Sequence, residues 1–254
     1  MRILISNDDG IHAPGLAVLE RIALAISTDV WIVAPEVERS GASRALTLTE
    51  PVRVRTVGER RFACSGTPTD CVLLGIDELV KGGRPDLVLS GVNRGQNLAE
   101  DTSVSGTVAA AVQGMQMGVP SIALSQAVNF RVGQPIPWHT AEAHGAEVVR
   151  KLLAAPWSDG VVMNVNFPDC EPEEVTGLEA TFQGFRDECI HQIDRRSDLR
   201  GNDYYWIGYR GKLSKPPAGS DLLAIYENRI SVSPLHIDMT EHRVLSALRE
   251  ALGA

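Results

Sequence analysis

Several features that identify common classes of protein are missing from this sequence of 254 residues. The four cysteines form no C-x-x-C pair and show no zinc-ligand spacing, so we expect free thiols in a reducing cytosol. No apolar run approaches the roughly 18 residues of a membrane span. Only three successive apolar residues, Ile3 to Ile5, precede Ser6, which is too few for a signal peptide. We therefore predict a cytoplasmic protein with no membrane partner.

Positive charge and glycine-rich dinucleotide motifs are also scarce. The net charge is −8 and the pI is about 5.3, which argues against a nucleic-acid polymer as partner. A small phosphate ester remains compatible, because a bound metal and backbone amides can supply local positive potential. No G-x-G-x-x-G follows the first predicted strand, so a dinucleotide site of the NAD type is not expected.

The N-terminal segment carries the most informative motif. The apolar run at 3–5 is typical of a buried strand, and the adjacent acids Asp8 and Asp9 follow it, with Gly10 next. Two carboxylates about 4 Å apart repel by roughly 4 kcal/mol at an effective dielectric constant of 20, unless solvent, a proton or a cation relieves them. The pair therefore predicts either a solvated turn or a site for a hard cation such as Mg²⁺ or Mn²⁺.

Apolar segments of strand length alternate with amphipathic segments of helix length through the first two thirds of the chain. Further strands are predicted at 30–35, 85–93, 121–125 and 161–167. This order predicts an α/β fold with a Rossmann-like, doubly wound and mostly parallel sheet. We assign residues 1–170 to this core, with a small antiparallel excursion near 44–66. Residues 171–254 are predicted to form an irregular extension with hairpins and a closing helix.

Oxygen-bearing side chains follow three of the predicted strands. Asp8 and Asp9 follow the first strand, Ser40 lies in the loop after the second, and Asn93 ends the strand at 85–93. Ligands of open parallel sheets bind outside the carboxyl ends of the strands, so we expect these residues to meet at one edge. None of them is a soft ligand, which favours Mg²⁺ or Mn²⁺ over structural zinc.

A second polar group lies just downstream of the third strand end. Ser105, Gly106 and Thr107 open a small-residue helix whose unpaired N–H groups suit a phosphate, unless Ser105 only caps its own helix. Asn97, in the intervening loop, is assigned to the same phosphate or substrate group. Arg94 is either a phosphate clamp or a solvated charge. Together with a metal at the acids, this group predicts phosphoester hydrolysis.

Five motifs in order resemble the SurE family of survival-protein 5′-nucleotidases, which are nucleoside monophosphate phosphatases. They are MRILISNDDGIHAPGL, RSGAS, GTPTDCV, SGVNRGQNL and SGTVAAA, with further matches at YWIG (205–208) and SVSPLH (231–236). The resemblance covers most of residues 1–125 and resumes near the C-terminus. It implies a Rossmann-like domain, a divalent metal, and release of phosphate from nucleoside 5′-monophosphates. Whether 3′-monophosphates are also substrates stays open.

The resemblance also assigns roles to residues. The family's metal ligands correspond to Asp8, Asp9, Ser40 and Asn93. The two acids are predicted to be catalytic, and because they are adjacent rather than spaced D-x-D, we favour attack by a metal-bound water over direct attack by an aspartate. The family forms homodimers or homotetramers that exchange C-terminal elements. The alternatives are a metal-dependent deacetylase, for which His12 is the only nearby histidine, and a non-catalytic nucleotide-binding regulator.

Overall fold

A computed structural model describes residues 1–128, 135–187, 191–209 and 214–253. Its strands are β1 (Arg2–Ser6), β2 (Asp29–Pro35), β3 (Val54–Gly58), β4 (Arg61–Cys64), β5 (Leu87–Arg94), β6 (Ser121–Gln126), β7 (Val161–Phe167), β8 (Gly177–Ala180), β9 (His191–Ser197), β10 (Asp203–Tyr209) and β11 (Arg229–His236). Its α-helices are α1 (Pro14–Leu24), α2 (Pro68–Leu74), α3 (Gly106–Gln116), α4 (Trp138–Ala154), α5 (Asp221–Tyr226) and α6 (His242–Leu252).

Nine of these strands form one sheet, in the order β3-β4-β2-β1-β5-β6-β7-β11-β8. Neighbouring strands from β4 to β7 run parallel. The antiparallel neighbours are β3 on β4 and β11 on β7. The predicted α/β fold with a mostly parallel sheet is therefore confirmed. The pair of β3 and β4, at 54–64, falls within the segment predicted as an antiparallel excursion.

Helices cover both faces of the sheet. On one face α1 contacts α4, over a cluster that contains Ile3 and Ile5. On the other face α2 contacts α3, over a cluster that contains Leu4. Successive side chains of a strand point to opposite faces, and a strand covered on both sides reads as a continuous apolar run. This is why β1 has no polar alternation.

The sheet continues past residue 170. β11 pairs with β7 from Ser231 opposite Asn166 to His236 opposite Val161, and β8 pairs with β11. Two strands of the segment 171–254 are therefore part of the main sheet, and the assignment of this segment to an irregular extension stays a prediction. The apolar pattern of β11 is too short to show from sequence that it joins the main sheet. The hairpin of β9 and β10 forms a separate sheet. The domain boundary at 170 stays a prediction, as does the use of the extension in oligomerisation.

Candidate active site

The turn after β1 is shaped by Asn7 and Gly10. The side chain of Asn7 accepts a hydrogen bond from the Gly10 N–H at 3.3 Å and donates one to the Gly10 carbonyl oxygen at 2.9 Å. Gly10 has φ of +103°, which favours glycine, and a Cβ there would lie 3.3 Å from the backbone of Val37. The turn therefore holds the two intervening acids, Asp8 and Asp9, in fixed directions at the carboxyl end of the strand.

Asp8 points into the protein, against the start of α3. Only 4% of its surface is exposed, and its Oδ1 accepts a hydrogen bond of 2.6 Å from the Thr107 hydroxyl. A Cβ on Gly106 would lie 2.8 Å from Asp8 Oδ2, so the carboxylate abuts the first turn of the helix. Burial raises the pKa of Asp8 to about 6; the Thr107 hydrogen bond opposes this shift, and the charge of Asp9 adds to it.

Asp9 faces the opposite side of the turn, towards β5. Its Oδ2 accepts a hydrogen bond of 3.1 Å from the backbone N–H of Arg94. Burial raises the pKa of the Asp9 carboxyl, and the nearby charge of Glu38 adds to this increase, whereas the Arg94 hydrogen bond and charge oppose it. Burial is the main cause of the raised pKa at both acids, so they mark a site where negative charge is poorly solvated.

Ser40 and Asn93 extend this group of oxygen donors. The exposed Ser40 donates a hydrogen bond of 2.8 Å to Oε1 of Glu38, whose charge acts on both Asp8 and Asp9. Asn93 donates through Nδ2 to the Gly95 carbonyl oxygen at 2.8 Å, a bond that does not engage Oδ1, the atom that would bind a metal. The sequence reasoning missed Glu38, although its position two residues before Ser40 was the available signal.

The predicted phosphate group divides into two places. Ser105, Gly106 and Thr107 lie at the start of α3 beside Asp8, and the Ser105 hydroxyl accepts from the Val108 N–H at 3.1 Å, so this side chain caps its own helix. Asn97 lies instead in a buried amide cluster, where Nδ2 donates to Ser125 Oγ at 2.8 Å. The backbone N–H groups of the first turn of α3 are thus the groups best suited to an anion.

The loop before α3 is held by C-terminal residues that the sequence reasoning did not find. Ala99, in the left-handed region with φ of +52°, donates its N–H to Asp221 Oδ2 at 2.8 Å. Arg186 Nη2 lies 2.6 Å from Asp101 Oδ2. Its Nη1 lies 3.2 Å from Glu100 Oε1, close enough for an ion pair but without hydrogen-bond geometry. No local pattern signals these contacts, because more than 80 residues separate the partners.

A cavity of about 230 Å³ opens beside Asp9. Its polar residues are Asp9, Glu38 and Arg94. The remainder of its wall is formed by Ala13, Pro14, Gly15, Ile136 and Trp138. The cavity therefore joins the acidic site to a largely apolar surface.

The residues at this edge fit a hard divalent cation. Within the described ranges, no three His, Cys, Asp or Glu side chains cluster in a way that could hold a metal. The available donors are instead two carboxylates with hydroxyl and amide oxygens, the ligand type of Mg²⁺ or Mn²⁺ and not of structural zinc. A cation would also stabilise the charged forms of the two buried carboxyl groups, whose pKa values are raised mainly by burial. These metal ligands and the phosphate group remain predictions.

No helix in the described parts of the chain combines the length and the apolar character needed to cross a membrane. The cytoplasmic location remains a prediction.

The fold and the site define a Rossmann-like α/β protein with an acidic site and a helix N-terminus at the carboxyl edge of its sheet. A family model described as "Survival protein SurE" matches residues 3–189. The chain belongs to the SurE family.

Relatives match the chain over nearly its whole length. A protein of Hyphomonas neptunium described as "5'-nucleotidase SurE" is 62% identical over 251 residues, which cover 99% of both chains. A protein of Caulobacter vibrioides with the same description is 59% identical and covers 100% of this chain and 97% of its own. The crystal structure of the SurE protein from Aquifex aeolicus has a TM-score of 0.84 at 34% identity and covers 99% of both chains.

Proposed function

We propose that this protein is a metal-dependent phosphomonoesterase that releases phosphate from nucleoside 5′-monophosphates. The observation that carries the proposal is the contact between the buried Asp8 carboxylate and the first turn of α3, formed by Gly106 and Thr107. This contact supports the proposal of a cation site, built from oxygen donors, beside a helix N-terminus that suits a phosphate. The description "5'-nucleotidase SurE" of the relatives from Hyphomonas and Caulobacter supports the choice of substrate.

The proposed role of each residue follows from its charge. A phosphate dianion would be repelled by Asp8 and Asp9 alone, so the two acids, with Ser40 and Asn93, are proposed to hold Mg²⁺ or Mn²⁺. The metal would supply a polarised phosphoryl oxygen and a water of lowered pKa. The N–H groups at the start of α3 bind phosphate oxygens. Arg94, which is among the residues that line the cavity, adds positive charge.

Phosphate release from a panel of nucleoside 5′- and 3′-monophosphates tests the proposal. The assay is run with Mg²⁺, with Mn²⁺ and with chelator, on wild type, Asp9→Asn and the exposed control Asp77→Asn. We expect metal-dependent release that Asp9→Asn lowers by roughly 100-fold or more, in keeping with the several kcal/mol that a catalytic metal supplies. The control should behave as wild type. The ratio of rates on 5′- and 3′-esters decides whether both positions are cleaved.

The same assay separates the two alternatives. A metal-dependent deacetylase would require zinc and would hydrolyse an amide, with no release from any phosphate ester. A nucleotide-binding regulator would bind nucleoside monophosphates in the presence of metal but turn none of them over. Absence of phosphate release from the folded protein with either metal would exclude the phosphatase.

We propose that the chain forms homodimers or homotetramers through its C-terminal elements. Trp206 and Ile207, in the hairpin of β9 and β10, are 61% and 76% exposed, and α6 has no buried residue although it carries Val244, Leu248 and Leu252. Apolar surfaces of this kind mark interfaces. Light scattering after size exclusion should give two or four times 27.4 kDa. The pair Trp206→Ser and Ile207→Ser should lower that mass, and the exposed control Leu48→Ser should leave it unchanged.

A further inference from the structure

Half of the cavity beside Asp9 has no part in the proposed chemistry. A metal and a phosphate need only its polar side, which is formed by Asp9, Glu38 and Arg94. The other side is apolar, and its largest group is the indole of Trp138. A phosphomonoester without a large apolar group would leave this surface empty.

Trp138 is fixed in place by the fold. It is the first residue of α4, is half-buried, and packs against the main core cluster. A Cβ on Gly15 would lie 2.9 Å from Cη2 and 3.0 Å from Cζ3 of the indole, so the ring edge lies directly against the first turn of α1. The same Cβ would lie 2.0 Å from the Val92 carbonyl oxygen. Only glycine allows the indole, α1 and β5 to approach each other in this way.

We propose that Trp138 is the stacking platform for the base of the nucleotide, with Ile136 and Ala13 completing an apolar base subsite. The proposal rests on the phosphomonoesterase function and adds to it a reason for nucleotide recognition. A nucleoside monophosphate has a dianion at one end and a flat π-system at the other, and the cavity is likewise lined by charged residues and by an aromatic residue.

The chemistry of this subsite also sets the expected specificity. Every base has a π-face, so stacking on an aromatic side chain is tolerant of the base identity. The apolar side chains Ala13, Ile136 and Trp138 supply no hydrogen-bond acceptor, and the indole N–H is their single donor. We therefore expect all nucleoside monophosphates to be accepted, with purines preferred because their larger rings have more stacking area.

The first test compares a substrate that has a base with one that lacks it. kcat and KM are measured for AMP and for ribose 5-phosphate with wild type, Trp138→Leu and Trp138→Phe. Trp138→Leu keeps an apolar side chain but removes the aromatic face. We expect it to lower the ratio of kcat/KM for AMP to that for ribose 5-phosphate by roughly 10-fold, mainly through KM, in the range that base stacking contributes. Trp138→Phe keeps an aromatic ring and should therefore retain most of the wild-type ratio.

Trp157 is the matched control, since it is another half-buried tryptophan packed on the same core cluster. Trp157→Leu should leave the ratio unchanged. An unchanged ratio in Trp138→Leu would overturn the proposal, and so would equal losses on AMP and ribose 5-phosphate, which would indicate a general structural role.

A second test needs no turnover. Adenosine is titrated while tryptophan fluorescence is recorded for wild type, Trp138→Phe and Trp157→Phe. We expect saturable quenching in wild type and Trp157→Phe that is lost in Trp138→Phe. Quenching that persists in Trp138→Phe, or that is absent in wild type, would overturn the subsite. If no phosphate ester is hydrolysed, the phosphatase function fails, and this titration still decides the subsite by itself.

Discussion

The Thr107 hydroxyl donates a hydrogen bond of 2.6 Å to Oδ1 of Asp8, which ties the start of α3 to the end of β1. Both side chains are almost completely buried. The bond crosses the carboxyl edge of the sheet and therefore fixes the position of the helix N-terminus relative to the acids. The other oxygen of Asp8, Oδ2, faces the first turn of α3, where a Cβ on Gly106 would lie 2.8 Å from it.

Thr107→Val should destabilise the protein and weaken metal binding. Valine has nearly the same shape, so the main change is the loss of the one hydrogen bond that a side chain in the described residues donates to the buried Asp8 carboxylate. Leaving a buried charged acceptor unpaired costs about 1–3 kcal/mol of unfolding free energy. Urea denaturation measures the change, with Thr107→Ser as the control that keeps the hydroxyl. If valine and serine variants were equally stable, the hydrogen bond would have no energetic role.

A divalent metal should raise the melting temperature through Asp9. At a metal concentration about 100 times the Kd, binding adds roughly 2.7 kcal/mol to the unfolding free energy. For a chain of this size, that raises the melting temperature by about 5–10 °C. Asp9→Asn should abolish most of this increase. In the presence of chelator the same substitution should be neutral or stabilising, because it removes one of the charges that raise the pKa of Asp8. Scanning calorimetry with Mg²⁺, Mn²⁺ and chelator measures both effects, and an undiminished metal response in Asp9→Asn would contradict the assignment.

Arg186→Met should destabilise the loop before α3. The Arg186 side chain is only 7% exposed and pairs with Asp101, and removing one partner of a buried ion pair costs roughly 3–5 kcal/mol. Because this loop leads into α3, kcat should fall as well. The control is Arg195→Met, which removes an ion pair with Asp203. The Arg195 side chain is 66% exposed, so we expect this variant to lose at most about 1 kcal/mol of unfolding free energy. Equal losses of unfolding free energy in the two variants would refute the role of Arg186.

Asp70→Asn should lower stability without changing the site. Asp70 accepts hydrogen bonds from the backbone N–H groups of Thr67, at 2.9 Å, and Thr47, at 3.1 Å, and forms a capping box with Thr67 at the start of α2. In Asp70→Asn the side-chain NH2 group would face one of these backbone N–H groups and could not accept its hydrogen bond. We therefore expect the unfolding free energy to fall by about 1–3 kcal/mol. Asp77→Asn changes an exposed residue, so its unfolding free energy should stay within about 0.5 kcal/mol of the wild-type value. Chemical denaturation compares the two variants, and a wild-type midpoint for Asp70→Asn would contradict the expectation.

Much of the architecture could be predicted because its causes are local. The run at 3–5 indicated a buried strand, and the strands predicted at 30–35, 85–93, 121–125 and 161–167 coincide with β2, β5, β6 and β7 to within two residues. The alternation of strands and helices then predicted a parallel sheet, and in such a sheet the strand ends that carry Asp8, Asp9 and Asn93 lie at one edge. The physical reason is that helix caps and side-chain periodicity depend on residues only a few positions apart.

Tertiary structure alone decided which distant groups meet. Several contacts join residues that are far apart in the chain. They are the pairing of β11 with β7, the contacts of Asp221 with Ala99 and of Arg186 with Asp101, and the position of the Trp138 ring against Gly15. No local sequence pattern around any of these residues predicts its contact, which is visible only once the partner is in place. The sequence by itself determined the α/β class and the oxygen donors at the strand ends, because local side-chain patterns encode both. The depth of Asp8, the charge of Glu38 beside it and the apolar wall next to Asp9 depend on the packing of the whole chain.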